Sequence, residues 1–401
     1  MNSIRNYSIV TLAYWSFMLS DGALRMLTLL YFHNRGYSSI QLASLFLLYE
    51  FFGIISNLFG GWLGQRYGLK KTLVYGLLLQ VVALTALSFI NPSWTLSFSV
   101  LYVMLTQAVS GTAKDLTKMS SKTAIKFLVP KDEDNKLFKW TAVLTGSKNA
   151  VKGAGFFFGG FLLQSLGFSQ ALQAMAGIIF IIFLFSIFSL PTEIGKSKVK
   201  MPFKGIFQQK SEIKILSAAR TFLFAARDIW FVIAIPVFMN SVLGWSFTQT
   251  GTFMAIWVIV YGIVQASAPK ILRSKVKTPD AETAFKLILL LSLSMLALCI
   301  AEYLQFQLKY SLLIGLYLFG AIFALNSSVH SFLILDYSDH DKAAVNVGFY
   351  YMANAVGRLL GTVLSGYLYQ LHGLRAALWG ALGSLILAAF FTDLVKNFRD
   401  S

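Results

Sequence analysis

Long apolar segments fill this chain from end to end, and only short polar stretches separate them. A helix needs roughly 20 mostly apolar residues to cross a bilayer, and a single segment inside lipid satisfies its backbone hydrogen bonds only as a helix. The segments of that length are residues 7–32, 40–64, 71–91, 95–117, 137–165, 169–190, 214–240, 247–269, 285–303, 310–335, 342–370 and 374–394. The sequence therefore predicts an all-α membrane protein with 12 transmembrane helices.

The small charged fraction excludes the common soluble classes of protein. Only 13% of the residues are charged and 56% are hydrophobic, whereas a soluble domain carries about 25% charged residues. A net charge of +17 could suggest a nucleic-acid binder, but most of the basic residues lie in short loops between apolar segments. We therefore expect a monomeric, multi-pass protein of the cell membrane, inner or plasma, surrounded by lipid, with no nucleic-acid partner, no cofactor and no metal site.

A basic, polar stretch with two prolines, residues 191–213, divides the chain almost at its midpoint. It predicts an N-terminal six-helix bundle (1–190), a cytoplasmic linker (191–213) and a C-terminal six-helix bundle (214–401). With the N-terminus in the cytoplasm, that side of the membrane holds 24 of the 34 Lys and Arg residues, and the other side holds 3. Because cytoplasmic loops carry the excess of basic residues, both termini are predicted to be cytoplasmic.

The two halves resemble distant copies of each other. Residues 147–172 resemble residues 352–378, with Asn-Ala-Val, Gln, Gly and Ala-Leu in the same order, so that Gln164 matches Gln370. A weaker match pairs residues 37–41 with residues 245–249. Duplicated halves with a binding site near the middle of the membrane are a transporter architecture. We therefore expect a transporter rather than an enzyme.

Charged residues lie inside the apolar segments, where each costs a contested ~3 to 15 kcal/mol unless it faces a partner or water. The seven cations are Arg25, Lys114, Lys148, Lys152, Arg220, Arg227 and Arg358. The four acids are Asp21, Glu50, Asp115 and Asp228. This leaves an excess of about three positive charges, and an anionic substrate is the simplest missing partner.

Some of these charges could neutralise one another. Asp21 and Arg25 are four residues apart on one helix face and could form an intrahelical pair. Arg227 and Asp228 are adjacent, so their side chains point about 100° apart and are not expected to pair as well. A guanidinium that has no carboxylate partner suits a phosphate or carboxylate ligand, because its planar fork binds two oxygens at once.

Lysines recur every four residues from Lys114 to Lys126. We expect Lys118 to Lys126 to be a solvated cytoplasmic face, whereas Lys114, Lys148 and Lys152 are candidates for ligand binding. In the tenth segment, a polar patch could either donate hydrogen bonds to a ligand or form a helix–helix contact; it comprises Asn326, Ser327, Ser328, His330 and Ser331.

The loop after the second segment reads Gly61-Trp-Leu-Gly-Gln-Arg66-Tyr-Gly68-Leu-Lys70-Lys71. It resembles the G-x-x-x-D-R-x-G-R-K signature of the major facilitator superfamily in the corresponding loop, with matches at Gly61, Arg66, Gly68 and Lys70. The resemblance implies a gating loop formed by Gly61, Arg66, Gly68 and Lys70. Gln65 stands in place of the Asp and Leu69 in place of an Arg, which weakens the case for a charge-relay gate. The general excess of basic residues in cytoplasmic loops could also account for these cations.

Four blocks of the first half resemble the organoarsenical efflux permeases, the ArsJ-type family. They are residues 24–38, 47–64, 110–130 and 144–160, and the stretch 110–160 is the most specific. The resemblance implies export of 1-arseno-3-phosphoglycerate, which a glyceraldehyde-3-phosphate dehydrogenase makes when arsenate replaces phosphate. That enzyme is the implied functional partner, and hydrolysis outside the cell would release arsenate.

The expected function is therefore a secondary transporter that exports an organoarsenical anion by alternating access and confers arsenate resistance. The expected substrate-binding residues are Arg25, Lys114, Lys148, Lys152, Arg227 and Arg358. If protons are coupled, the candidates for titration are Asp21, Glu50, Asp115 and Asp228. Organophosphate antiporters of the superfamily bind phosphate through basic residues of helices 1 and 7, and Arg25 and Arg227 lie in the corresponding segments.

Three rival functions can be compared with the sequence, which argues against two of them. A sugar-phosphate or glycerol-phosphate antiporter would share the same cationic site, so that only substrate assays separate the two. A membrane-embedded acyltransferase should show an H-x-x-x-x-D site, and none of the four histidines has Asp five residues later. An exporter of hydrophobic drugs should have a mostly apolar cavity with a lone acid, which is the opposite of this charge balance.

Overall fold

The structure, a computed structural model, describes residues 2–67, 69–128, 134–191, 209–272, 279–337 and 343–400. Every regular element within these ranges is helical. The helices of the first half are α1 (Asn2–Asn34), α2 (Ser39–Ser44), α3 (Leu47–Tyr67), α4 (Leu69–Ser88), α5 (Leu96–Leu128), α6 (Asp134–Leu166) and α7 (Phe168–Ser189). Those of the second half are α8 (Ser211–Ile229), α9 (Ile235–Ser241), α10 (Phe247–Ile271), α11 (Ala281–Tyr303), α12 (Leu308–Asp336) and α13 (Ala343–Asp400).

Within the described residues, nine helical segments are long and apolar enough to cross a membrane. One of them, Gly348–Lys396, spans 49 residues and contains non-helical backbone at His372 and Gly373, where two helices of α13 meet. The 33-residue helices α1 and α6 are not among the nine; each carries ionisable side chains within its apolar stretch, which lower its mean hydropathy. The multi-pass membrane architecture is thus supported, and the count of 12 spans stays a prediction.

Two predicted spans are interrupted in the structure. The span 40–64 consists of α2 and α3, and α2 begins with a capping box in which Ser38 and Gln41 satisfy each other's backbone N–H groups. The span 214–240 consists of α8 and α9, joined by a π-helical turn, Trp230–Ala234. Pro236 follows this turn, and Ser365 Oγ accepts hydrogen bonds from the N–H groups of Ile233 and Ala234. The missing N–H of proline and the serine hydroxyl together account for the local change in helical pitch.

The chain forms two compact units. Unit 1 comprises Met1–Arg35, Leu48–Pro202 and Ser246–Ile259, and unit 2 comprises Gly36–Leu47, Phe203–Trp245 and Val260–Ser401. Residues 36–47, from the first half of the sequence, therefore belong to unit 2. Residues 246–259, from the second half, belong to unit 1. The predicted division into residues 1–190, 191–213 and 214–401 stays a prediction, and most of the linker, residues 192–208, lies outside the described residues.

Large apolar side chains cover the outward faces of several helices. Phe188 of α7 is 83% exposed and Ile314 of α12 is 70% exposed. The inward faces hold fully buried residues, among them Phe17 and Leu30 of α1 in unit 1 and Leu216 of α8 in unit 2. Helices that are apolar on all sides are typical of membrane spans, because lipid replaces water around the outer face.

Each unit contains the same helix junction, made by residues that match between the halves. In unit 1, a side chain at Gly160 would meet the start of α10 at Phe247, and Gln164 Oε1 accepts a hydrogen bond of 2.8 Å from Thr248 Oγ1. In unit 2, a side chain at Gly366 would meet the start of α2 at Ser39, and Gln370 Oε1 accepts one of 3.0 Å from the Ser39 N–H. Glycine lets the helices approach, and the glutamine four residues later binds the N-terminus of the neighbouring helix.

Candidate functional site

The first group of buried charges joins α1 to α6 in unit 1. Lys152 Nζ lies 2.8 Å from Asp21 Oδ2, and the Asp21 side chain is only 2% exposed. The two helices approach closely here because Gly22 and Gly155 face each other; a Cβ on Gly22 would lie 3.2 Å from the Gly155 Cα. Lys152 therefore has a carboxylate partner inside the unit.

Arg25 has a partner on a different helix. Its Nη1 lies 3.1 Å from Oε1 of Glu50 on α3, and the Glu50 side chain is fully buried. The sequence left open an intrahelical pair between Asp21 and Arg25, and the structure instead pairs each of them with another helix. These two ion pairs tie α1 to both α6 and α3.

Tyr49 lies between these ion pairs, and sequence reasoning missed it. Its hydroxyl donates a 2.5 Å hydrogen bond to Asp21 Oδ1, and Lys114 Nζ lies 4.0 Å from the centre of its ring. Arg25 Cζ lies 5.8 Å from the same ring, and Lys114 also interacts electrostatically with Asp21. A search for charges overlooks a neutral side chain; the signal that could have found Tyr49 is its position directly before Glu50.

Gly111 sets the position of Tyr49 relative to α5. A Cβ on Gly111 of α5 would lie 2.7 Å from the backbone oxygen of Tyr49, so α5 reaches α3 only because position 111 has no side chain. This approach places Lys114, one turn further along α5, against the Tyr49 ring. Lys114 is buried.

Asp115 forms a second contact between α5 and α3. Its Oδ2 accepts a hydrogen bond from Ser56 Oγ, and Lys118 Nζ lies 3.6 Å from its Oδ1. Lys118 also donates a 2.8 Å hydrogen bond to Asn57 Oδ1, and its side chain is 18% exposed. The prediction of a solvated face is thus wrong for Lys118, because a buried carboxylate lies one turn before it; the side chains of Lys122 and Lys126 lie outside the described residues.

Lys148 is the remaining candidate of unit 1. It lies partly buried on α6, one turn before Lys152. The neighbouring Ser147 accepts a 3.1 Å hydrogen bond from Trp15 Nε1 of α1. The structure therefore brings Arg25, Lys114 and Lys152 together around Tyr49 and Asp21, and it places Lys148 at the next turn of α6.

In unit 2, Arg227 and Asp228 pair with each other. Both Nε and Nη2 of Arg227 lie 2.6 Å from Asp228 Oδ1. The expectation that adjacent residues pair poorly is wrong here, because the long arginine side chain curls back across the angle between them. The Arg227 guanidinium also lies 4.7 Å from the Phe224 ring centre and 5.5 Å from that of Phe323. Both aromatic rings stabilise its positive charge.

Arg220, two turns before Arg227 on the same face of α8, is buried at 4% exposure. Its Nε donates to Asn354 Oδ1 and its Nη1 to the Ser327 carbonyl oxygen, each at 3.1 Å. Its Cζ lies 4.1 Å from the Phe224 ring centre and 5.1 Å from that of Tyr350. Among the described acidic residues, none forms an ion pair with Arg220, so its charge is held by neutral groups.

The polar patch of α12 serves partly for packing. Asn326 Nδ2 donates to the Ala284 carbonyl oxygen at 3.1 Å, and Ser331 Oγ donates to the Ser327 carbonyl oxygen at 2.8 Å. His330 differs, because it is fully buried and neither ring nitrogen has a hydrogen-bond partner in the part of the chain that the structure describes. Arg358, the last predicted cation, lies partly buried on α13, one turn after Asn354.

Comparison with known proteins decides the family. The sequence model of the Major Facilitator Superfamily matches residues 10–328. The chain belongs to the major facilitator superfamily. A search of curated proteins found no match. This major facilitator is a multi-pass membrane protein and a secondary transporter, and members of such a family are typically not enzymes.

The signature loop of this major facilitator is described only in part. Gly61 and Arg66 lie within α3, but their side chains are outside the described residues, as is Gly68 altogether. Lys70 Nζ donates a 2.6 Å hydrogen bond to the carbonyl oxygen of Leu190, the residue that caps the C-terminal end of α7. A lysine on the last carbonyl of a helix stabilises that helix end, and the predicted gating role of this loop stays a prediction.

The buried charges of the transporter follow one rule in both units. In the described part of the chain, each of the four predicted acids already has a cation within 4.0 Å, as the contacts of Asp21, Glu50, Asp115 and Asp228 show. Lys114 lies over the Tyr49 ring and interacts electrostatically with Asp21. Arg220 instead faces aromatic rings and neutral oxygens, which stabilise a cation but leave its charge uncompensated.

Proposed function

We propose that this transporter exports an organoarsenical anion, 1-arseno-3-phosphoglycerate, by alternating access and so confers resistance to arsenate. One observation carries the anionic part of this proposal: among the described residues, the buried carboxylates are already bound to cations, while the buried Arg220 is held only by neutral groups. A buried charge of this kind is costly unless a partner compensates it. An anionic substrate supplies that partner during transport.

The chemistry of the cations suits oxyanions. Arginine donates from a planar fork that matches phosphate and carboxylate groups, and lysine adds a compact charge. The proposed substrate carries a phosphate group, an arsenate ester and a hydroxyl, so both of its ends need cationic partners. Candidates for those contacts are Arg25, Lys114, Lys148 and Lys152 in unit 1 and Arg227 and Arg358 in unit 2.

The paired carboxylates have a role in this scheme. Asp21 and Glu50 hold Lys152 and Arg25 at 2.8 and 3.1 Å, and Asp228 holds Arg227. A substrate oxyanion that binds these cations competes with the carboxylates, and the pairs form again after release. Such an exchange avoids leaving Lys152, Arg25 or Arg227 without an anionic partner when the substrate leaves.

The choice of organoarsenical rests on the resemblance of residues 24–38, 47–64, 110–130 and 144–160 to organoarsenical efflux permeases. These blocks contain Arg25, Glu50, Lys114 and Lys152, which the structure brings together around Tyr49. The transporter would act in the cell membrane as a monomer. A glyceraldehyde-3-phosphate dehydrogenase would supply the substrate.

The test is arsenate tolerance of an arsenate-sensitive bacterium that expresses the transporter with and without this dehydrogenase. We expect tolerance only when both proteins are present. Arg25→Gln should abolish tolerance without loss of the protein from the membrane, and Arg35→Gln, which changes an exposed arginine near the end of α1, is the matched control. Absence of protection by the pair, with the transporter confirmed in the membrane, would reject the organoarsenical substrate.

An organophosphate antiporter is the alternative, because the same cations bind a phosphate ester equally well. It predicts exchange of sugar phosphate or glycerol phosphate for inorganic phosphate in membrane vesicles. Exchange without arsenate tolerance would support this function and exclude the first.

A further inference from the structure

The surroundings of Arg220 contain a fully buried imidazole that the proposed transport function has not used. His330 lies one turn after Ser327, whose carbonyl oxygen accepts from Arg220 Nη1 at 3.1 Å, and the Arg220 charge interacts with the His330 ring. Among the described residues, no group offers a hydrogen bond to Nδ1 or Nε2 of His330, nor to the hydroxyls of Ser217 and Ser327.

Buried polar groups in native proteins nearly always have hydrogen-bond partners, and the exceptions often have a functional role. Three of the residues with such atoms, His330, Ser217 and Ser327, share one location, since Ser217 is one turn before Arg220 on α8 and Ser327 contacts Arg220 directly. Arg220 itself uses two of its five N–H donors in the contacts described above. The cluster thus combines remaining donors, a buried positive charge and an imidazole, which in water exchanges its proton near neutral pH.

We propose that His330 carries a proton that is coupled to transport, and that an oxyanion bound to Arg220 is what allows His330 to take it up. Without the anion, a proton on the imidazole would place a second positive charge beside Arg220 in a site that is shielded from water, where like charges repel strongly. A bound oxyanion compensates both charges and accepts a hydrogen bond from the protonated ring. This inference rests on the proposed transport of an anion.

Arg220 is the charged group that acts on His330 from the neighbouring helices. On α13, the ring centre of Tyr350 lies 5.1 Å from Arg220 Cζ. Tyr350 interacts electrostatically with Tyr351 of the same helix and with Tyr261 of α10. From α11, the contact with the patch is the backbone of Ala284, and the ion pair between Glu282 and Lys286 is largely exposed. A carboxylate that could hold the proton in place of His330 is therefore lacking in the described part of this cluster, because Asp228 is bound to Arg227.

The coupling has a definite sign. Because anion binding favours protonation of His330, protonation of His330 equally favours anion binding. The anion and the proton therefore cross the membrane in the same direction. A substrate with a phosphate and an arsenate ester carries a charge of about −3 to −4, so it stays negative with one added proton. The inside-negative membrane potential still drives the pair outward.

The experiment uses everted membrane vesicles, whose cytoplasmic face is outside. A glyceraldehyde-3-phosphate dehydrogenase with glyceraldehyde 3-phosphate, NAD and arsenate generates the substrate outside, and the arsenic that enters the vesicles is measured at several pH values. For the unmodified transporter we expect the KM to rise by up to about tenfold per pH unit above the usual histidine range, which is the limit for one linked proton. His330→Gln should transport with a KM that does not change over this range.

His372→Gln, at the exposed kink of α13, is the matched control and should keep the pH dependence. If His330→Gln is absent from the membrane, His330→Asn replaces it. A KM of the unmodified transporter that is independent of pH, or a histidine variant that keeps its pH dependence, would overturn the proposal. If the unmodified vesicles take up no arsenic, the organoarsenical function fails, and the same pH series with glycerol 3-phosphate exchange tests His330 separately.

Discussion

At the scale of single residues, this transporter holds its buried charges through neutral side chains as much as through ion pairs. Tyr49 offers its hydroxyl to Asp21 and its ring to Lys114, and Phe224 lies beside both Arg220 and Arg227. A hydrogen bond to a charged group contributes about 1.5 to 3 kcal/mol, and a desolvated cation over an aromatic ring contributes ~2 kcal/mol. Aromatic residues are therefore as important to this site as the charges that the sequence shows.

The two contacts of Tyr49 can be separated by mutation. Tyr49→Phe removes the hydroxyl but keeps the ring, and we expect it to lower the free energy of unfolding by about 2 kcal/mol. Tyr49→Leu removes both contacts and leaves a cavity, and it should lower the free energy by a further ~2 kcal/mol. Denaturation of the purified proteins in detergent measures both values.

Tyr75→Phe is the control, because Tyr75 is 57% exposed on α4 of the same unit and should lose nothing measurable. Equal stability of Tyr49→Phe and Tyr49→Leu would show that the ring does not hold Lys114.

At the scale of elements, glycines decide which helices can bring their charges together. Gly22 and Gly155 allow α1 to reach α6, Gly111 allows α5 to reach α3, and Gly361 lies against Ala225 and Asp228 of α8. Close backbone approach is the usual basis of helix packing in membranes, where apolar side chains gain little by leaving lipid. The ion pair between Asp21 and Lys152 therefore depends on residues that carry no charge.

This dependence predicts the effect of a single methyl group. Gly155→Ala places a Cβ about 3.0 Å from the Gly22 Cα and closer still to a backbone oxygen of α1, so α1 and α6 must separate. We expect a loss of about 1 to 3 kcal/mol in the free energy of unfolding and a loss of transport, because Lys152 moves away from Asp21.

Gly177→Ala on α7 is the matched control, since nothing lies within 4 Å of its Cβ, and it should be neutral or stabilise the helix by up to ~1 kcal/mol. If both variants behave alike in detergent denaturation and in transport, close contact between α1 and α6 does not set the site.

At the scale of the whole molecule, the distribution of basic residues predicts how the chain lies in the membrane. The side that contains both termini is predicted to hold 24 Lys and Arg residues against 3 on the other side, and such a bias sets the orientation of multi-pass proteins. The seven cations predicted to lie inside the membrane do not enter this count, so orientation and substrate binding are predicted to use separate groups of cations.

Cysteine labelling tests this orientation. In a Cys299→Ser background, we expect an impermeant maleimide to label Ser93→Cys, in the exposed loop before α5, on intact cells. Lys210→Cys, at the exposed start of α8, should react only after the cells are made permeable. The reverse pattern would place both termini outside the cytoplasm.

The sequence alone predicted the helices, because length and apolar composition are local properties and lipid leaves few alternatives for such segments. It also pointed to several charges that the structure buries, among them Asp21, Lys114 and Arg220, but not to the buried Glu302. It did not reveal the break between α2 and α3 or the π-helical turn after α8, since these depend on Ser38, Pro236 and a serine more than a hundred residues away.

Only the tertiary structure decided which partner each charge takes. Asp21 and Lys152 are 131 positions apart, and Arg220 and Asn354 are 134 apart, so no local pattern links them. Tyr49 and His330 are candidates because of their burial and their neighbouring side chains, neither of which can be read from the residue type. The physical reason is that a buried charge interacts with whatever lies within a few ångströms of it, and helix packing through glycine determines what that is.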